Sequence, residues 1–147
     1  MIDHEKDISA FLFYLYRCAI TFKTELNKVF LIEFKEGLTV DFWFVLSVLW
    51  ENDNIPQGII ADRLNRDRAS ISRTLDGMEE KGLIKRLTDA SDKRESKICL
   101  TKSAFEIKDK ANEIALQQMA KHLNGLSPIE VKELIRMLNH IYTNIKK

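Results

Sequence analysis

The chain has 147 residues, 45% of them hydrophobic and 31% charged, enough apolar material for one compact domain or two small interleaved parts. Its formal net charge is only +1, yet residues 63–102 hold 11 Lys/Arg against 7 Asp/Glu while the remainder holds 12 against 15, so the middle is the basic part. No apolar run is long enough to span a membrane, MIDHEKD lacks the basic start of a secretory leader, and two distant cysteines exclude a disulfide framework or zinc site. A cytoplasmic protein with no membrane, metal or cofactor is the expectation.

Ile8, Phe11, Leu12, Leu15, Ala19, Phe22, Leu26, Val29 and Phe30 recur at helical spacing and predict one long helix over 7–34, stopped by Gly37. FLFYLY within it is apolar nearly all round, more than a small domain can bury alone. Thr39 suits the N-cap of a second helix with Phe42, Leu46, Leu49 and Trp50 on one stripe. Pro56 then suits the start of a short third helix, IIADRLN, with a break at Asn65–Arg66. Asp67 is a good N-cap for a fourth helix from Arg68 to about Lys81, closed by Gly82. LIKRLT and SKICLT read as a hairpin across the charged tip DASDKRES. Thr101 opens a fifth helix to about His122, and the S-P-x-E of Ser127, Pro128 and Glu130 boxes the start of a sixth. That last helix carries Val131, Leu134, Ile135, Leu138, Ile141, Tyr142 and Ile145 on one face.

The predicted fold is therefore mainly α with a small β-hairpin: a winged helix-turn-helix between long apolar terminal helices that need a partner. On the fourth helix, Ile71, Leu75 and Met78 fall on the side that must pack inward. Ser70, Arg73 and Gly77 fall on the other, with Ala69, Ser72 and Thr74 beside them. Small and hydroxyl-bearing residues let a backbone approach a groove floor, and an arginine at their centre can fork onto a guanine. Acids come only later, at Asp76, Glu79 and Glu80, so the N-terminal half is the end that enters a major groove. In the tip, Asp92 stands two residues before Arg94, close enough to hold its guanidinium. A held arginine on a narrow wing suits a minor groove. Arg68, Lys93, Arg86 and Lys97 are the candidates for phosphate contacts.

The arrangement resembles the multiple-antibiotic-resistance regulator (MarR) family over essentially the whole chain. The matching pieces are LTVDFWFVL, IIADRLNRDRASISRTLDGMEEKGLIKR and DKRESKICLT, the last fitting the family's D-x-R…L-T wing signature. The resemblance implies a winged DNA-binding part over 39–101, and a homodimer joined through helices in 1–36 and 102–147. It also implies a transcription factor, here expected to be a repressor, on a pseudo-palindrome of double-stranded DNA. Many members are released by a small ligand or oxidant. A small-molecule effector would sit where the dimer helices meet the helix-turn-helix, against Phe13, Phe42, Trp43 and Trp50.

Rival readings are weaker. Redox sensors in the family use a cysteine on the first helix, but aligning FYLYRC with their F-x-L-Y segment puts Leu12 at that place and Cys18 two turns later. Cys99 reads as a packing residue of the wing. The three histidines are scattered, and no nucleophile–base pair or phosphate-cradling glycine loop supports an enzyme. An interaction adaptor that had lost DNA binding would lack Arg73 or Arg94, and both are present.

Overall fold

The computed structural model of the chain describes residues 4–88, 91 and 96–147. The described elements are, in order, α1 (His4–Glu33), α2 (Val40–Glu51), β1 (Ile55–Pro56), α3 (Gln57–Arg63), α4 (Arg68–Glu80), β2 (Ile84–Thr88), β3 (Ser96–Leu100), α5 (Lys102–Glu106), α6 (Lys108–His122) and α7 (Pro128–Ile145). The chain divides into two compact units, Met1–Ile114 and Ala115–Lys147. Among the described residues no helix is long and apolar enough to cross a membrane.

Four helix starts form where a short polar side chain can accept an otherwise orphaned backbone N–H. Thr39 accepts from Phe42 N, Asp67 from Ser70 N, Thr101 from Ala104 N and Ser127 from Glu130 N. At α7 the box is reciprocal, since Glu130 accepts from the Ser127 N–H. That hydrogen bond, with the one from the Ser127 side chain, holds the Glu130 carboxyl below its ordinary range. Gly82, at φ 69°, lets the chain leave α4 in the left-handed region that other residues avoid.

The core of the first unit is built where α1, α2, α3, α4 and the sheet meet. Phe30, Leu46, Leu49, Ile60, Ile71, Leu75, Met78, Leu83, Ile84 and Ile98 are fully buried there. α4 inserts Ile71, Leu75 and Met78, one per turn, and this stripe fixes which way the helix faces. The N-terminal half of α1 contributes nothing to that core, because its buried residues are Leu26 and Phe30. Ile8, Phe11, Leu12, Phe13 and Leu15 stay exposed within the single chain. In the second unit α7 buries none of its residues, and Leu134, Ile135, Leu138, Tyr142 and Ile145 are open to solvent.

The expected hairpin forms, β2 against β3 from Ile84 opposite Leu100 to Thr88 opposite Ser96, and it is extended: β1 adds to β3, Ile55 opposite Ile98 and Pro56 opposite Lys97, giving the order β1-β3-β2. Pro56 is tolerated because a two-residue edge strand does not need its missing N–H. The helix expected from Thr101 to His122 is two helices, α5 and α6, separated at Ile107. Ile107 keeps α-like dihedrals, φ −86° and ψ −9°, so the chain tightens for a turn and resumes.

Because Leu75 is completely buried between neighbouring elements, Leu75→Ala should lower unfolding free energy by about 2–5 kcal/mol. Urea unfolding followed by circular dichroism measures this, and a midpoint equal to the parent's would contradict the packing.

Candidate nucleic-acid interface

The turn between α3 and α4 is made by Leu64 and by Asn65, which takes φ 52°, a conformation asparagine tolerates better than most residues. The turn closes with Arg66 N–H donating to the Ala61 carbonyl at 2.9 Å, and Asp67 then caps α4. Helix α4 thus starts immediately after a short, hydrogen-bonded turn. With Ile71, Leu75 and Met78 committed inward, Arg68, Ala69, Arg73, Asp76, Glu79 and Glu80 are exposed, and Ser72 is half-buried.

The small face of α4 is not where the helical wheel puts it. A Cβ on Gly77 would lie 3.1 Å from the Phe42 ring on α2, so Gly77 is small because α2 crosses there. Ser70 and Thr74 lie on the same stripe and are half-buried. Ser70 Oγ accepts from Arg66 Nη2 at 2.5 Å, and Thr74 Oγ1 donates to the Ser70 carbonyl at 3.1 Å. The openly exposed side of the first two turns is therefore centred on Arg68, Ala69 and Arg73.

Arg86 on β2, an expected phosphate contact, is engaged within the chain. Its Nη2 donates to Asp76 Oδ1 at 2.7 Å and to the Ser72 carbonyl at 3.3 Å, its Nη1 to Glu79 Oε1 at 3.2 Å, and its backbone N–H to Glu79 Oε2. The fork fastens the wing strand to α4. Lys97 is exposed on β3, opposite Leu87 in the ladder, and Lys85 is exposed on the same face of β2. Asp92, Lys93 and Arg94 lie outside the described residues.

The four aromatics expected to line an effector site sit in separate settings. Phe42 packs on Gly77, Trp43 donates through Nε1 to Asn112 Oδ1 at 3.0 Å beside Phe30 and Phe44, and Trp50 donates to the Ala104 carbonyl at 3.1 Å. Those indoles tie α2 to α5 and α6. Phe13 stands exposed on α1 with Arg17 over its ring. An apolar hollow on α1 is lined by His4, Asp7, Ile8 and Phe11, and includes none of the four. Among the described residues no cluster of three or more His, Cys, Asp and Glu could hold a metal ion.

Arg66 is the residue the sequence reading passed over. Its place in an irregular turn gives no periodicity to mark it, and its partners are 25 and 4 residues away. Cys18 is exposed within the chain, whereas Cys99 is half-buried with its thiol donating to Asn54 Oδ1 at 3.2 Å. Burial first, and then the Asp53 carboxylate, push the Cys99 thiol above its usual range against the opposing pull of Lys97. Less thiolate is then present at neutral pH. In a Cys18→Ser variant, Cys99 should react with iodoacetamide more slowly than free cysteine at pH 7.5 and catch up as pH rises. Equal rates at pH 7.5 would contradict this environment.

The family model described as MarR family matches residues 38–96, which run from the end of the α1–α2 connection to the start of β3. Among solved structures, the transcriptional regulator SlyA is similar at 29% identity over 89% of this chain and 93% of that chain, with a TM-score of 0.77. A MarR/EmrR family transcriptional regulator from Acinetobacter sp. ADP1 is similar at 23% identity over 99% of each chain, TM-score 0.81. The structure of reduced AbfR bound to DNA is similar at 21% identity over 99% of this chain and 98% of that chain, TM-score 0.80.

Proposed function

With the chain a member of the MarR family of winged helix-turn-helix transcriptional regulators, we propose that it is a homodimeric repressor that reads a pseudo-palindromic operator in double-stranded DNA. The observation that carries this reading is α4: a capped helix whose apolar stripe is wholly inward and whose free side presents Arg68 and Arg73 beside the wing. A duplex major groove admits such a helix, and Arg73 can fork onto guanine O6 and N7. Arg68, Lys97 and Lys93 take phosphates, while Arg94, steadied by Asp92, enters the minor groove. Ser70, Ser72 and Thr74 lie along the groove-facing end of the helix. Likeness to a regulator held on DNA supports the same partner. The exposed apolar faces of α1 and α7 support the homodimer, since uncovered surface of that kind is what an obligate interface hides. A small effector acts by changing how the two reading helices are held.

The test is selection of bound sequences from a random DNA pool, followed by titrations on the selected site. Arg73→Ala should cost about 1–3 kcal/mol on the operator and flatten the preference at one position per half-site. Arg94→Ala should weaken binding to most sequences and lower the salt slope by about one unit per contact. If Arg94→Ala binds every sequence as the parent does, DASDKRES is only a soluble loop.

Sedimentation equilibrium at micromolar concentration should give the mass of two chains. Leu138→Arg should yield monomer or unfolded protein, because it would bury a charge with no partner. A parent that sediments as a stable monomer would sink the dimer.

A further inference from the structure

Arg66 lies in the turn before α4 and is two-thirds covered, with its guanidinium divided between two partners. Nη1 donates to Asp41 Oδ1 at 3.2 Å and Nη2 to Ser70 Oγ at 2.5 Å. Asp41 sits in the first turn of α2, where the helix end favours a carboxylate. Lys23 on α1 donates to both of its oxygens at 2.9 Å. The carboxylate is thus fixed from α1 and in turn fixes the direction of the Arg66 fork.

An arginine can only donate, so Ser70 Oγ is the acceptor in this contact and its own proton must point elsewhere. The other polar groups of Ser70 are already used, its N–H by Asp67 and its carbonyl by Thr74. A cation on the oxygen's lone pair also makes the hydroxyl a better donor, as hydrogen bonds in a chain polarise one another.

We propose that Ser70 is a committed hydrogen-bond donor to an acceptor atom of the DNA, with Arg66 and Asp41 as positioning residues that do not themselves touch the duplex. This rests on the reading of α4 as the groove-entering helix. The acceptor is an oxygen or ring nitrogen, carried either by a phosphate or by the major-groove edge of guanine, adenine or thymine.

The experiment uses the full chain on its selected operator and on scrambled DNA at several salt concentrations, with thermal melts of every variant. Ser70→Ala and Arg66→Ala should each weaken operator binding about tenfold, the order expected for a charge-assisted hydrogen bond. Ser70→Thr should retain affinity. Arg66→Lys should behave as Arg66→Ala, since an ammonium lacks the planar fork. The Arg66→Ala, Ser70→Ala double variant should be no weaker than the weaker single one, and Asp41→Asn should weaken binding in the parent but not in Arg66→Ala. Arg66→Ala should leave the salt slope unchanged. Loss on both DNAs assigns the acceptor to phosphate, and loss on the operator alone assigns it to a base. The proposal is overturned if Ser70→Ala binds as the parent, if the two losses add, or if Arg66→Ala lowers the salt slope by about one, which would put Arg66 on a phosphate. A parent that selects no sequence overturns the reading of the chain as DNA-binding, and this proposal with it.

Discussion

Everything at the interface depends on keeping Ile71, Leu75 and Met78 out of water. Each is fully buried, and full burial of a large aliphatic side chain is worth about 1.5–3 kcal/mol relative to exposure. Three such residues at one per turn allow α4 only one rotation about its axis. Once that rotation is fixed, Arg68 and Arg73 have nowhere to point but outward. The polar face that α4 presents is a consequence of apolar demands on the opposite side.

Burial fixes rotation but only loosely fixes tilt and translation, and two arginines supply the rest. Arg86 reaches from β2 to Asp76, Glu79 and the Ser72 carbonyl, along the middle of α4. Arg66 holds the first turn through Ser70 and anchors it on Asp41. Their ion pairs are part-exposed, and such pairs are individually worth well under about 1 kcal/mol. Their contribution is geometric. Several donors on one planar fork confine a helix more tightly than their summed energy implies, and a reading helix needs that confinement, because base-edge hydrogen bonds weaken steeply with misalignment.

What was legible in the sequence is what depends on near neighbours. Thr39, Asp67, Thr101 and Ser127 cap the helices they precede, and the α4 stripe packs as its spacing requires. What was not legible depends on distant residues or on weak local signals. A strand of two residues has no alternation to detect, and Pro56 within β1 signals a helix start instead. The tightening at Ile107 involves neither glycine nor proline and barely changes the dihedrals. Gly77 has no side chain to reveal its burial, and only the crossing of α2 shows that it faces Phe42. Arg86 and Arg66 looked like any other surface cations until the fold supplied carboxylates for them.

Arg86 also bears on an electrostatic difficulty in using this helix on DNA. Asp76, Glu79 and Glu80 trail Arg73 by one to two turns, about 5–10 Å along the axis, which is comparable to the Debye length of about 8 Å at physiological salt. Bare, three carboxylates at that distance would oppose the approach of a phosphate backbone. The Arg86 guanidinium, bonded to two of them, cancels one charge and draws the field of the remainder inward, toward the sheet. The N-terminal turns keep Arg68 and Arg73 free, and the wing adds Lys85 and Lys97. Charge along α4 therefore runs from positive at Arg68 and Arg73 to a residual negative at the later turns. A phosphate backbone prefers one end of such a gradient to the other. The same arginine that fastens wing to helix thereby lowers the repulsion that the later turns of α4 would offer a duplex.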